Sequence, residues 1–433
     1  VNDPICAPAT ALLPSAVAIV RVSGHSLSKT LAPLVRLPAP RSAALRWLTW
    51  EGYQERALVL FFPAPGSYTG EDVVEFQLHG NPLLVRRFLE VLGHLGVRLA
   101  EPGEFTQRAL LNGKQSLLEV EALRDLISAA TDTQLRMAQA RSGAWPDWIR
   151  EAKACLAPWI GRAEAAVDYG EDEDIGIDIS ELKSSIQLLK HTFHVEQVRS
   201  SAARWLRDGI RVAIVGRPNA GKSTLFNAMA AEDRAIVTEI PGTTRDVLEV
   251  RAEWCGLPLY LFDTAGLRET EDPVERLGVA RVRAVLEKAD LILHLLPLTD
   301  EGPDPEILDR LAPFQGKVLE VRTFGDRGGA QGGIVVSAST GDLLALELAL
   351  KDRFLGPLAL DACLGAMATQ RQRELLFELL IQADLMLGLP ESCAPEVVAS
   401  ALQGMWALLA RLTGEDRVES TLDEVFSGFC LGK

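Results

Sequence analysis

Short β-rich runs open the chain: Ala16-Val17-Ala18-Ile19-Val20 and Val73-Val74-Glu75-Phe76 sit among Gly/Pro turns and a few helical stretches. That mixture predicts a small α+β domain over residues 1–116. From Leu117 the period changes, and Val120, Leu123, Leu126, Ile127 and Ala130 fall on one helical face. Helical character then runs to about Leu206, giving a helical segment over 117–207. The acidic run from Asp168 to Asp174 interrupts it and reads as a solvated loop. From Ile210 apolar strands alternate with helices, the pattern of a parallel α/β domain over 208–351. Its strands are Val212 to Val215, Leu259 to Phe262, Leu291 to Leu295, Val318 to Val321 and Ile334 to Val336. Helices return over 352–433, where Val398, Leu402, Met405, Leu409 and Leu412 recur at the spacing of a buried seam. Two helical segments flanking an α/β block predict one helical domain interrupted by an insertion.

Composition narrows the class. The 433 residues leave room for about two to four domains, and 48% hydrophobic with 24% charged residues is globular rather than disordered composition. No apolar run approaches the roughly 18 residues of a membrane span. The opening Val1-Asn2-Asp3-Pro4 lacks the basic stretch of a secretory signal. A cytoplasmic protein without a membrane partner is expected. Cys6, Cys155, Cys255, Cys363, Cys393 and Cys430 form no C-x-x-C pair, against both a disulfide framework and a cysteine zinc site. The formal net charge is −15, so any RNA contact must use a local basic patch or a more basic partner.

The strongest chemical signal is Gly216-Arg-Pro-Asn-Ala-Gly221-Lys222-Ser223, a G-x-x-x-x-G-K-[ST] loop between the Val212 to Val215 strand and a helix over Thr224 to Met229. Glycines let backbone N–H groups approach phosphates, and the helix N-terminus adds positive potential. Lys222 reaches the β/γ-phosphates and the Ser223 hydroxyl ligates Mg²⁺. Asp263-Thr264-Ala265-Gly266 follows a strand, as required of an acid that holds Mg²⁺ through water and a glycine N–H that meets the γ-phosphate. Gly242-Thr243-Thr244-Arg245-Asp246 is the switch candidate, with Thr244 the second Mg²⁺ ligand. Ser337-Ala338-Ser339 matches the S-A-x element beside a guanine base. Order and spacing predict a translation-factor-class GTPase.

Two positions depart from that pattern. The guanine-reading N-K-x-D motif is replaced by Thr323-Phe324-Gly325-Asp326. Asp326 still accepts from guanine N1 and N2, Thr323 replaces part of the Asn hydrogen bonding, and Phe324 stacks without charge. Weaker guanine affinity or selectivity follows, with GTP still the expected nucleotide. Leu267 occupies the place of the water-orienting Gln, so that role passes elsewhere. Glu269, Glu271, Asp272 and Glu275 are the acidic candidates.

These stretches, together with Ser67-Tyr-Thr-Gly-Glu-Asp72, Pro102-Gly-Glu-Phe-Thr106, Leu111-Asn-Gly-Lys114 and the terminal Cys430-Leu-Gly-Lys433, resemble the MnmE (TrmE) family over nearly the whole chain. The resemblance implies an N-terminal folate-binding and dimerising domain, a helical domain and an inserted Ras-like G domain. It implies a homodimer that works with an FAD-containing MnmG (GidA) partner on C5 of wobble uridine 34 in tRNA. The one-carbon unit comes from 5,10-methylene- or 5-formyl-tetrahydrofolate, and FAD enters only through the partner. G domains that pair across their nucleotides in K⁺ are also implied.

Carried over by residue, K⁺ is held by Asn219, by the backbone of Thr238 and Ile240, and by Thr243. The implied nucleotide contacts are Asn219, Ala220, Gly221, Lys222, Ser223 and Thr224, then Thr238, Glu239, Ile240, Pro241, Gly242 and Thr243. Asp263, Thr264, Ala265, Gly266, Thr323, Asp326, Ser337, Ala338 and Ser339 complete them. Glu275, within Val274-Glu275-Arg276-Leu277-Gly278, matches the family's water-orienting glutamate. Folate contacts fall on Arg21, Glu75, Lys114 and Lys433, with basic groups for the glutamate tail and a carboxylate for the pterin N–H groups. The apolar Ala9-Thr-Ala-Leu-Leu-Pro-Ser15 stands where the family has a Gly/Arg-rich turn. Cys430 is either a small buried hydrophobe or a thiol close to the modification chemistry. His79 reads as a satisfied turn histidine. A ribosome-assembly GTPase and a non-hydrolysing nucleotide-switched scaffold are the competing classes.

Overall fold

The computed structural model describes residues 3–143, 145–168, 177–231, 249–262, 275–298, 302–328 and 332–415. It divides into two compact units, Val1–Arg124 with Ala410–Lys433, and Asp125–Leu409.

The first unit is α+β. Strands β1 (Ile5–Pro8), β2 (Ser15–Gly24), β3 (Ala43–Trp50), β4 (Tyr53–Phe62), β5 (Asp72–Gly80) and β6 (Arg98–Leu99) form one sheet in the order β3-β4-β5-β2-β1-β6. Every neighbouring pair is antiparallel except β1 and β6. Helices α1 (Leu27–Thr30), α2 (Pro82–His94) and α3 (Glu104–Leu111) belong to it. Period-two alternation turns Ala18, Val20 and Val22 of β2, and Val74, Phe76 and Leu78 of β5, into one core. Val85, Phe88 and Leu92 of α2 belong to the same core, and the Phe76 and Phe88 rings meet edge-on at 5.0 Å. Asn81 starts α2 by accepting from the backbone N–H groups of Leu83 and Leu84, with Pro82 in the first turn. Arg21 and Glu75 fall on the alternate positions of β2 and β5, out of that core.

The second unit carries helices α5 (Asp132–Arg141), α6 (Asp147–Asp168) and α7 (Ile179–Asp208); helix α4 (Leu117–Ser128) precedes them. An α/β block follows, with β7 (Ile210–Gly216), α8 (Lys222–Ala231), β8 (Glu249–Trp254), β9 (Leu257–Phe262), α9 (Glu275–Lys288) and β10 (Leu291–Pro297). It continues with α10 (Pro305–Leu311), β11 (Val318–Thr323), β12 (Ile334–Val335) and α11 (Leu344–Leu355). Helices α12 (Leu360–Leu364), α13 (Gln370–Leu387) and α14 (Pro395–Thr413) close the described chain. The second sheet runs β12-β11-β10-β7-β9-β8, parallel except for the antiparallel edge strand β8. This is the inserted Ras-like G domain, bracketed by helices as the periodicity predicts. Helix α13 packs along α7, and Val398, Leu402, Met405, Leu409 and Leu412 of α14 are all fully buried.

Three features differ from the reading of the sequence. The buried positions of α4 are Leu117, Leu118, Val120, Glu121, Ala122 and Asp125, whereas Leu126 and Ile127 are exposed and Ala130 lies past the helix end. The cause is electrostatic: Arg141 Nη1 donates to Asp125 at 2.6 Å and Arg207 Nε at 2.9 Å, drawing a carboxylate inward. His79 lies on β5 rather than in a turn, with its Nδ1 2.7 Å from Glu55 Oε1. The helices and the G sheet also share a core, because Met137, Ala202, Ala203 and Leu206 join Ile210, Val212 and Leu259 in one cluster. Helix α6 ends at Asp168, and the rest of the acidic run lies outside the described residues.

Candidate nucleotide and cofactor sites

The parallel strands of the G sheet all end on one edge, the edge on which α/β folds bind ligands. The Gly216–Ser223 loop leaves β7 there. A Cβ at Gly216 would lie 2.8 Å from the Leu295 carbonyl oxygen, so only glycine lets the loop pass β10 this closely. Asn219 and Gly221 have positive φ, 64° and 89°, which coils the loop before α8 begins. The Lys222 ammonium donates to the carbonyl oxygens of Gly216 at 2.8 Å and Arg217 at 2.6 Å, so its charge sits within the loop. Ser223 and Thr224 are exposed in the first turn of α8 and Ala220 is buried beneath. Asn219 is exposed on the coil.

The base-reading segment follows β11. Thr323 is 4% exposed, and its hydroxyl donates to the Ala220 carbonyl oxygen at 2.9 Å. That hydrogen bond links this segment to the phosphate loop instead of facing a base, a role that the residue type alone did not disclose. Phe324 follows at φ 65°, and Arg327 lies over its ring, 4.6 Å from the centroid. Ser337 Oγ donates to Asp326 Oδ1 at 2.8 Å and lies 3.2 Å from Ser339 Oγ. Ser337 also exchanges backbone hydrogen bonds with Asp342, which closes the Ser337-Ala338-Ser339 turn. The Asp326 carboxylate is thus held by the element expected to border the base.

Thr238, Glu239, Ile240, Pro241, Gly242, Thr243, Thr244, Asp263, Thr264, Ala265 and Gly266 lie outside the described residues, as do Leu267, Glu269, Glu271 and Asp272. Glu275 begins α9, and its side chain is not described. Among the described residues no group of three His, Cys, Asp or Glu side chains is placed to hold a metal ion. The hydroxyl of Ser223, exposed where α8 starts, is a hard oxygen donor of the kind Mg²⁺ takes.

In the first unit Arg21 and Glu75 are directly opposite on β2 and β5. Arg21 Nε donates to Glu75 Oε1 at 2.9 Å. The Tyr68 and Phe105 rings stand beside the guanidinium, 5.5 Å and 5.9 Å from its carbon. Phe105 is fully buried beneath, whereas Arg21 and Glu75 are partly exposed. The pair thus brings a guanidinium donor and a carboxylate acceptor together, groups that suit the polar edge of a heterocycle such as a pterin.

Three sequence motifs converge beside that pair. Tyr68 Oη and Thr106 Oγ1 are 2.8 Å apart, and Asn112 Nδ2 donates to the Thr69 carbonyl oxygen at 2.7 Å. A Cβ at Gly70 would sit 3.2 Å from Lys114 Cγ, which places the exposed Lys114 against the same loop. Beneath them runs a buried polar chain: Ser23 donates to Glu71 at 2.8 Å, Arg108 to Glu71 at 3.1 Å and to Glu104 at 2.9 Å, and Arg98 to Glu104 at 2.6 Å. Burial opposes the Glu104 charge, but the hydrogen bonds from Arg98, the Glu101 N–H and Arg108 outweigh it and hold the carboxyl below its ordinary pKa. Tyr68, Phe105 and Arg108 were not singled out from the sequence, although each lies in or next to a motif that was.

Lys433 and Cys430 lie outside the described residues. The other five cysteines are free thiols, and burial pushes the Cys6 thiol up to about 12, which leaves it inert at neutral pH.

Loop, sheet order and base-reading segment define a P-loop nucleotide-binding protein of the G-domain class, joined to a second polar site in an α+β unit. Comparison with known proteins narrows this. A profile described as GTP-binding protein TrmE N-terminus matches residues 4–114, and one described as MnmE helical domain matches residues 117–430. The tRNA modification GTPase MnmE of Methylobacterium radiotolerans is 39% identical, over 100% of this chain and 99% of its own. Its namesakes from Cereibacter sphaeroides and Acidiphilium cryptum are 41% and 38% identical, with 100% of this chain covered in both and 100% and 99% of theirs. The chain belongs to the MnmE (TrmE) family.

Proposed function

We propose that this chain hydrolyses GTP in a K⁺-dependent manner and that hydrolysis drives modification of tRNA wobble uridine 34. With an FAD-containing MnmG-type partner, it adds a (carboxymethyl)aminomethyl group at C5. The observation that carries this reading is full-length membership of a family whose relatives are called tRNA modification GTPases, together with an intact phosphate loop in the geometry above. The chain works in the cytoplasm as a homodimer formed through its N-terminal domain, and two chains assemble with two partner chains around the tRNA.

Each residue has a task in this scheme. Backbone N–H groups of Asn219 to Thr224 hold the phosphates and Lys222 spreads their charge. Asp326, with the Ser337-Ala338-Ser339 turn, reads the guanine edge. Ser223 and Thr244 would hold Mg²⁺, and Asn219, Thr238, Ile240 and Thr243 would hold K⁺, cations that would supply neutralisation of charge at the transferring phosphoryl group. Glu275 orients the attacking water in place of the Gln that Leu267 displaces. Arg21 and Glu75 bind a tetrahydrofolate, with Lys114 and Lys433 toward its glutamate tail.

The test is reconstitution with the FAD partner, GTP, folate, an amine donor and unmodified tRNA, followed by nucleoside mass analysis. Appearance of the C5-substituted uridine, abolished by Lys222→Ala, supports the reading. GTP turnover with an unchanged uridine would sink the tRNA assignment.

A further inference from the structure

The base-reading segment lacks the lysine of the N-K-x-D pattern, and Phe324 brings no charge. The structure supplies one nearby. Arg327 is exposed, stands three residues after Phe324 on a single 3₁₀ turn (Gly325–Arg327), and places its guanidinium carbon 4.6 Å from the Phe324 ring centroid. The Phe324 ring tip in turn reaches the phosphate loop, since a Cβ at Gly221 would meet Phe324 Cζ at 3.8 Å. A bulky residue with φ 65° is uncommon, and such conformations persist where neighbours hold them. Here the neighbours are the Thr323–Ala220 bond and the Gly325 N–H, which donates to the Val336 carbonyl oxygen at 3.0 Å.

We propose that Phe324 and Arg327 together form the platform on which the nucleotide's purine ring lies, with Arg327 supplying the cation that a lysine at position 324 would bring. This rests on the GTPase reading and adds to it a base-affinity residue outside the usual motif. A planar guanidinium backed by an aromatic ring stacks on a purine face through cation–π attraction. Such a platform reads the face and not the edge of the base, so its contribution is the same for guanine and for hypoxanthine, which lacks the 2-amino group. Edge reading stays with Asp326, whose free carboxylate capacity remains after the Ser337 bond.

The experiment is equilibrium binding of GDP and IDP, with Mg²⁺, to the full chain and its variants. Arg327→Ala should weaken both nucleotides by the same factor, about 3- to 10-fold, the scale of a partly desolvated cation–π contact. The double variant Phe324→Lys/Arg327→Ala should recover most of the loss, because the cation returns to the backbone position of the motif lysine. Asp326→Asn should instead narrow the gap between GDP and IDP. GDP binding unchanged in Arg327→Ala overturns the platform, as does a loss confined to GDP, which would mean edge reading. A wild-type chain that binds neither nucleotide overturns the GTPase reading itself, a result distinct from both.

Discussion

The Thr323 hydroxyl donates to the Ala220 carbonyl oxygen at 2.9 Å, tying the end of β11 to the phosphate loop. Both residues are buried, so neither group has water to fall back on. The bond fixes the distance between the part of the site that reads the base and the part that holds the phosphates. Thr323→Val keeps the shape and removes the donor. GDP affinity should fall about 3- to 10-fold, as for a buried hydrogen bond of about 0.5–1.5 kcal/mol, and Thr323→Asn should retain most of it. Equal affinity in the valine variant would show that the loops are held together by packing alone.

Glu275 opens α9, downstream of the segment that follows β9. The proposed water-orienting role is one in turnover and not in binding. Glu275→Ala should keep GTP affinity and lower single-turnover hydrolysis at least about 10-fold. Unchanged hydrolysis in K⁺ buffer would remove it from the mechanism.

The Arg21–Glu75 pair makes the folate claim specific. Calorimetric titration should show 5-formyltetrahydrofolate binding to the wild type. Arg21→Ala should weaken it at least about 10-fold, because a charge-assisted contact worth about 1.5–3 kcal/mol is lost. Absence of binding to the wild type would end the folate assignment.

Glu104 sets a pH dependence. Its folded-state pKa lies below the ordinary 4.5, so the unfolded chain binds more protons in that region. The stability it contributes is present above about pH 4.5 and is lost as pH falls through the lower folded value. Thermal unfolding measured from about pH 6 to about pH 3 should therefore fall more steeply for the wild type than for Glu104→Gln. Parallel curves would mean that the Arg98 and Arg108 contacts do not stabilise the charged form.

Much of this architecture was legible in the residues. The central strand β10 shows as a long, mostly apolar run because a parallel strand inside a sheet is covered on both faces; it is buried from Leu291 through Leu296, whereas β11 exposes Glu320 and Arg322. Edge strand β8 is no continuous apolar run: Glu249, Arg251 and Glu253 alternate with Val250, Ala252 and Trp254, as in a half-buried strand, and its antiparallel pairing with β9 places it at the sheet edge. The inward turn of α4 depends on Arg141 and Arg207, distant in sequence from Asp125, so local periodicity misjudged which face is buried. Motif context points to Arg21 and Glu75, yet their opposition across β2 and β5 is a property of the sheet, and the neighbouring Tyr68 and Phe105 rings come from the loop before β5 and from α3. Residue type alone makes the Thr323 hydroxyl a base contact; its bond to Ala220 follows from where β11 ends.

Potassium-assisted GTP hydrolysis stands or falls on multiple turnover of GTP by the purified chain in K⁺ against Na⁺ buffer, with ATP as competitor. That mechanism requires marked stimulation by K⁺ and retained activity in excess ATP. Hydrolysis indifferent to the cation, or suppressed by ATP as strongly as by unlabelled GTP, would contradict it.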